Sequence, residues 1–352
     1  YRGVKPVMWS CVEKTALAEA EVEYKDHKSI TCWIKFPIQK TGFAGVEGAN
    51  IVIWTTTPWT LPSNRAFAYG NDIDYAVYTI ESVLADSKAK VGDKLVLSQK
   101  LAADVKEKAK IENWSASESF KGSALEGTVA QHPLHGKGYE FDVPGLAGDF
   151  VTEDTGTGFV HMAPSHGMDD YILYMKHFGA RDIPDNVSDD GKMREHVPLF
   201  AGLEVLTQKG EMGEANFAVL KAMDEAGALV AKGSIRHEYP HSWRSKAPLI
   251  FRTTPQWFIA LDDDNNLRDV ALQAIRDTKW HPSAGQNRIT AMIEQRPDWC
   301  ISRQRAWGVP IALFVNKKTN EPLEDEAVLK RITDTFEAEG SDAWWSRNPR
   351  HF

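Results

Sequence analysis

Ile51-Val52-Ile53-Trp54-Thr55-Thr56-Thr57-Pro58-Trp59-Thr60-Leu61-Pro62-Ser63-Asn64 passes from an unbroken apolar tract into four threonines spaced by two prolines. A short apolar run of this kind reads as a strand over residues 49–54. Pro58 and Pro62 end it, because proline offers no N–H to a strand ladder. What leaves the strand is a stiff chain bearing several hydroxyls and an amide, a rigid polar shelf. Taken alone it is equally a threonine-rich edge strand, since threonine favours extended structure.

Outward from this stretch the pattern stays β-rich. Alternation at residues 22–24 and 30–36 predicts ribbon-like strands, and short strand patterns recur at 75–80, 94–97 and 127–130. Gly and Pro punctuate residues 133–148. Helical periodicity covers 169–178, stopped by Gly179, and 214–226, stopped by Gly227; residues 266–278 and 324–339 also read as helices. The fold class expected is β-rich mixed α/β, with a twisted, barrel-like β core and peripheral helices. A shift into Arg-, Trp- and Pro-rich sequence near Gly233 marks the best domain boundary.

Bulk properties exclude several classes. The 352 residues carry 41 Lys and Arg against 49 Asp and Glu, a formal charge of -8, which opposes non-specific coating of nucleic acid. Any such contact must be local, and the basic clusters Arg236, His237, His241, Arg244, Lys246 and Arg296, Arg303, Arg305 read on charge alone as a solvated face. No apolar run approaches the eighteen or so residues of a membrane span, so no membrane partner is expected. Cys11, Cys32 and Cys300 are too few and scattered for a disulfide framework, which fits a reducing, cytoplasmic setting. A start at Tyr1 without Met or a leader reads as a fragment of a longer chain.

Some motifs fail on inspection. His237-Glu238-Tyr239-Pro240-His241 has the letters of a zinc-protease helix, but Pro240 is incompatible with the continuous helix that chemistry needs. Gly156-Thr157-Gly158 opens like a dinucleotide loop, yet His161 stands where the third glycine belongs, and a plain turn explains it better. There is no Gly-Lys-Ser/Thr phosphate loop and no Gly-x-Ser-x-Gly elbow.

Two further segments carry information together with the threonine tract. Gly156-Thr157-Gly158-Phe159-Val160-His161-Met162-Ala163-Pro164-Ser165-His166-Gly167-Met168-Asp169-Asp170-Tyr171 leads into a helix, whose macrodipole favours an ionised carboxylate at Asp170. Ordinary capping accounts for at least one of Asp169 and Asp170. Residues 296–311, from Arg296-Pro297-Asp298-Trp299-Cys300 to Trp307-Gly308-Val309-Pro310-Ile311, offer Arg and aromatic groups suited to stacking.

With these segments quoted, the chain resembles the isoleucine tRNA synthetases, class I enzymes, over nearly its whole length; the threonine tract and residues 156–171 resemble the motifs of their editing (connective peptide 1) domain. Valine- and leucine-specific relatives carry Arg in place of Thr57 and an acidic residue in place of Trp59. The resemblance implies an ester hydrolase that deacylates valine mischarged on tRNA(Ile). Thr55, Thr56, Thr57 and Thr60 would position the terminal adenosine and the attacking water, with Asn64 supporting them. His161 would limit the size of the pocket, Trp59 would contact substrate, and Asp170 would grip the α-amino group. The resemblance places the editing domain at 45–232, between an N-terminal ribbon at 1–44 and a C-terminal flank at 233–352. The partners implied are the acceptor end of tRNA(Ile) and the rest of the synthetase chain. No cofactor is expected for this piece, since the motifs of amino-acid activation with ATP and Mg are missing. Many relatives hold zinc with two Cys-x-x-Cys pairs; the aligned positions are Ser10, Glu13, Ser242 and Ser245, so no metal is expected, and Trp9 and Trp243 are the natural apolar anchors of those loops. The alternatives are a valine-type editing specificity and a non-catalytic tRNA-binding or scaffold fragment.

Overall fold

The computed structural model describes residues 1–352 except 263–265, 306–307 and 320, so Ala306 and Trp307 of the third segment lie outside the described residues. Strands β1 (Arg2–Ser10), β2 (Thr15–Ala16), β3 (Val22–Lys40), β4 (Asn50–Thr55), β5 (Ala66–Tyr69), β6 (Asp74–Val83) and β7 (Lys94–Ser98) come first. Helix α1 (Ala102–Lys108) precedes β8 (Ile111–Ala116), β9 (Phe120–Lys121), β10 (Val129–Gln131), β11 (Asp142–Ala147) and β12 (Phe159–Met162). Helices α2 (Met168–Phe178) and α3 (Glu214–Glu225) lead to β13 (Leu229–Ser242) and β14 (Ile250–Ile259). Then follow α4 (Leu267–Asp277), α5 (Ala284–Glu294), β15 (Trp299–Cys300), α6 (Glu326–Glu339) and α7 (Ala343–Ser346). Tyr1–Ile301 is one compact unit and Ser302–Phe352 a second, in which Trp344 packs against Phe314 and Phe352.

The architecture is β-rich and mixed α/β. Strand β3 pairs with β10, β10 with β11, β11 with β5, β5 with β12, β12 with β4, and β4 pairs back to β3. Strands β7, β6, β8 and β9 extend this sheet beyond β4, and β13 flanks β3 on its other side. A smaller sheet has the order β15-β14-β1-β2. The apolar tract of β4 is explained by burial on both faces. Ile51 and Ile53 enter the main core with Ile34, Phe36 and Leu61, while Val52 points into a second cluster with Trp33, Leu95 and Leu97. Successive side chains of a strand alternate faces, so one tract serves both clusters.

The two N-terminal strands expected from alternation are a single strand, β3. Residues 25–29 between them are largely polar because here β3 pairs only with β13 in an antiparallel ribbon, His27 opposite His237. Strand β13 itself runs without interruption across Gly233, and Pro240 sits in it opposite Tyr24, so the His-Glu-Tyr-Pro-His segment is extended rather than helical. Helices α2, α3, α4 and α6 occupy the stretches predicted for them; α1, α5 and the short α7 are not anticipated by the sequence. The Gly156-Thr157-Gly158 turn is tight by necessity: Gly158 has φ +82, and a Cβ there would lie 2.5 Å from the Ser98 side chain. Among the described residues no helix is long and apolar enough to cross a membrane.

Ser10, Glu13, Ser242 and Ser245 do converge, around a carboxylate. Glu13, its side chain 7% exposed, accepts from Ser242 Oγ, from Arg244 Nη1 at 3.1 Å and from the Ser245 N–H at 3.2 Å. Its own N–H donates to Ser10 Oγ at 3.1 Å. Trp9 is buried, with Arg252 over its ring, but Trp243 is 49% exposed and lies under Arg244, so it anchors nothing apolar; the expectation for Trp243 is corrected, because the carboxylate bonds already close the loop. Burial pushes the Glu13 carboxyl up, but the bonds from Ser242, Ser245 and Arg244 outweigh it and hold it below its ordinary value. A depressed carboxyl stabilises the fold above its unfolded value, and that contribution is lost as pH falls through the folded value. Glu13→Ala is expected to lower stability by about 1–3 kcal/mol at neutral pH, by orphaning the Ser242 and Ser245 donors. In urea titrations the wild-type margin over Glu13→Ala should shrink below about pH 4; a margin unchanged between pH 7 and pH 3 would refute this account of Glu13.

Candidate active site

The threonine tract does not form an open shelf. After Thr55 ends β4 the chain winds into a 3-10 turn, Pro58–Ser63, with Pro58 in its first turn, where proline's fixed φ is suited and its missing N–H costs nothing. Every residue of the turn is buried. Thr55 and Thr60 are buried as well, leaving Thr56 and Thr57 half-buried. The hydroxyls bond to one another: Thr55 Oγ1 lies 3.1 Å from Thr57 Oγ1, and Thr57 Oγ1 lies 3.5 Å from Thr60 Oγ1. Thr60 donates to the Thr57 carbonyl at 2.8 Å.

His161 reaches this turn from β12, which pairs in parallel with β4 through Val160 opposite Trp54. Its Nε2 lies 3.0 Å from Thr60 Oγ1, and its Nδ1 lies 2.8 Å from Asn64 Nδ2. Asn64 Nδ2 also donates to the Ala66 carbonyl at 3.0 Å, which fixes the amide's orientation. Nδ1 of His161 therefore accepts and Nε2 carries the proton, which it donates to Thr60. Burial pushes this imidazole down to about 3, so it is neutral, and both of its nitrogens are committed. It holds no free lone pair for a general base. His132 grips the turn from another side, donating from Nε2 to the Leu61 carbonyl at 3.1 Å and accepting from the Leu134 N–H at Nδ1.

Asp170 belongs to the first turn of α2, but its carboxylate folds back out of the helix to accept from the Ala163 N–H at 2.8 Å, two residues beyond His161. Gly167 makes room for this; a Cβ there would stand 2.6 Å from Asp170 Oδ2. Burial pushes the Asp170 carboxyl up to about 6, against the pull of the Ala163 N–H. The helix macrodipole, which favours an ionised carboxylate at Asp170, is outweighed by desolvation, which acts in the opposite sense. Asp169 is exposed, and no side chain caps α2. Trp59, 6% exposed, packs in the main core with its ring 4.7 Å from that of His166.

The structure thus draws Thr55, Thr57, Thr60, Asn64 and His161 into one bonded group, with Asp170 on the adjoining turn. A separate cavity of about 440 Å³, touched by Lys5, Leu17, Met168, Phe258 and Trp299, is lined by none of these residues. Among the described residues no group of three or more His, Cys, Asp or Glu is placed to hold a metal ion. Sequence reasoning missed His132, which has no local signal, because it lies 71 residues from the carbonyl it binds.

Comparison with known proteins agrees with the motifs. The family model described as tRNA synthetases class I (I, L, M and V) matches residues 1–352. The chain is 52% identical over 368 residues to an isoleucine--tRNA ligase of Caulobacter vibrioides, covering 100% of this chain and 38% of that one. It is 51% identical to an isoleucine--tRNA ligase of Rhodopseudomonas palustris, covering 98% of this chain and 36% of that one. It therefore spans little more than a third of the length of the curated relatives it matches. Among solved structures, the Plasmodium falciparum cytosolic leucyl-tRNA synthetase editing domain aligns at 12% identity and a TM-score of 0.34, covering 56% of this chain and 80% of that one, too loose a match to carry an argument. The chain belongs to the class I tRNA synthetases of the I, L, M and V group and resembles the isoleucine--tRNA ligases along its whole length.

Proposed function

We propose that this chain is the editing part of an isoleucine tRNA synthetase and hydrolyses the ester that joins valine to the acceptor end of tRNA(Ile). The observation that carries the reading is the His161 bridge: a neutral imidazole fixed between Thr60 and Asn64 beside two part-open threonine hydroxyls. Isoleucine against valine is the standard illustration of how little discrimination one methylene permits in a single pocket, and a second, smaller pocket solves it by size. His161 sets that size, since its ring cannot turn without breaking both bonds. Asp170, ionised above about pH 6, receives the α-ammonium of the valyl group.

Water attacks the ester carbonyl carbon, the bond to the ribose oxygen breaks, and that oxygen takes the proton the water gives up. Because the ring nitrogens of His161 are committed, the water is oriented by threonine hydroxyls and by the neighbouring ribose hydroxyl. We place the editing domain at 45–232, flanked by 1–44 and 233–352; its barrel-like core is the cycle of paired strands β10, β11, β5, β12 and β4 closed by β3, which the N-terminal flank supplies. The pocket uses no cofactor, and ATP and Mg serve activation in the remainder of the intact cytoplasmic ligase.

Deacylation of Val-tRNA(Ile) tests the reading directly. Asp170→Asn is expected to raise KM at least about tenfold, the scale of one charge-assisted contact of about 1.5–3 kcal/mol. In the wild type KM should rise as pH falls through about 6, because protonated Asp170 no longer attracts an ammonium, and Asp170→Asn should be flat over that range. A wild-type KM equally flat from pH 5 to pH 8 would remove Asp170 from the role. His161→Ala should begin to deacylate Ile-tRNA(Ile), which the wild type spares, and continued rejection of that substrate by a folded variant would end the sieve assignment.

A further inference from the structure

A second histidine of the same segment holds the threonine-rich turn from the opposite chemical sense. His166 Nδ1 lies 2.8 Å from the carbonyl of Phe251, and its Nε2 lies 3.1 Å from Ser63 Oγ. A main-chain carbonyl only accepts, so Nδ1 carries the proton and Nε2 offers a lone pair, which the Ser63 hydroxyl must fill as donor. Ser63 Oγ in turn accepts from Asn186 Nδ2 at 2.9 Å. The result is a directed chain from the Asn186 amide to the Ser63 hydroxyl to the His166 imidazole to the Phe251 carbonyl. His161 bears the opposite tautomer and donates into the turn, whereas His166 receives from it. Trp59, itself part of the turn, closes the ring edge of His166.

The chain of bonds has a long reach. Ser63 ends the turn that carries Thr60, and Phe251 lies in β14, opposite Met8 of β1 in the smaller sheet. The next residue, Arg252, is buried, and donates to the Val187 carbonyl at 3.1 Å and to Asp189 at 2.7 Å, so the Phe251 carbonyl sits on well-fixed backbone.

We propose that His166 is a positioning residue of the hydrolytic site: through Ser63 it fixes the far end of the threonine-rich turn and ties it to β14. Its consequence for turnover rests on the hydrolase reading above; its consequence for the rigidity of the turn rests on geometry alone. A turn released at Ser63 still holds Thr60 to His161, but it no longer holds the hydroxyls in register with the substrate, and small misplacements of that kind cost large factors in rate.

The test separates the two ends of the imidazole in the 352-residue chain. His166→Phe keeps a ring against Trp59 and loses both bonds. His166→Gln carries an amide to the place of Nε2 and can keep Ser63. Two quantities are measured: kcat and KM for Val-tRNA(Ile), and amide exchange at Thr60 and Asn64, whose N–H groups donate to the carbonyls of Thr57 and Leu61 at 3.0 Å each. His166→Phe should lower kcat by about 30-fold or more with KM within about threefold. Exchange at those two amides should quicken about tenfold or more while β6 and β7 are unchanged. His166→Gln should recover most of both losses. Should His166→Phe not fold, Ser63→Ala breaks the same bond by removing one oxygen and must show the same exchange. Unchanged exchange at Thr60 and Asn64 in a folded variant, or no recovery by Gln over Phe, overturns the proposal. Quickened exchange in a chain whose wild type leaves Val-tRNA(Ile) intact upholds the positioning of the turn and defeats the hydrolase reading instead.

Discussion

The bridge from Thr60 through the His161 imidazole to Asn64 is the constraint on which the rest of the site depends. A buried imidazole left without partners would cost its full desolvation, so the fold must supply one donor and one acceptor at fixed positions. Asn64 supplies the donor because its other amide hydrogen is tied to the Ala66 carbonyl. Thr60 supplies the acceptor because its own hydrogen is spent on Thr57. Each choice forces the next, and the ring ends with one tautomer and one orientation. Burial then keeps it neutral, with both of its nitrogens committed.

Strand β4 places that bridge. A strand buried on both faces cannot slide by one residue without exchanging two apolar clusters, so its register is fixed strongly. Thr55 at its end and the turn that follows are fixed with it, and β12 brings His161 alongside by pairing on the same strand. The site is therefore built on a strand whose register the two apolar clusters fix. Asp170 is held by the Ala163 N–H and by the space that Gly167 leaves.

The hydroxyls, the amide and the histidine were readable as letters, and helix α2 was readable from its period and its terminal Gly179. Burial of the threonine-rich turn was not. Threonine-rich sequence after a strand looks like an exposed edge, and what buries this one lies far along the chain: His132, His161 and His166 close it at separations of 71, 101 and 103 residues. The carboxyl of Asp170 shows the same limit, since the macrodipole is a local rule while desolvation depends on everything packed around it. Helix α1 was missed because seven residues give too little periodicity, and α5 because Gly285 stands in its first turn and no side chain caps it. Trp243 failed as an anchor because the loop closed on a charge, and an aromatic beside a satisfied carboxylate has no reason to be buried.

That last case bears on how the flanks and the site differ. At Glu13 the fold gathers a serine hydroxyl from the end of β13, and an arginine and a main-chain N–H from the segment after it, around one ionised group, where desolvation is opposed by several donors and the charge is kept. At Asp170 the N–H groups of Ala163 and of Asp170 itself are outweighed by desolvation, and the carboxyl rises toward neutrality. A carboxylate with all its bonds made inside the protein has nothing left for a ligand, whereas one that is under-bonded gains most from an incoming cation. The carboxyl that burial lifts stands in the first turn of α2, in the segment that carries His161, and the one its donors hold down closes the flanking loops.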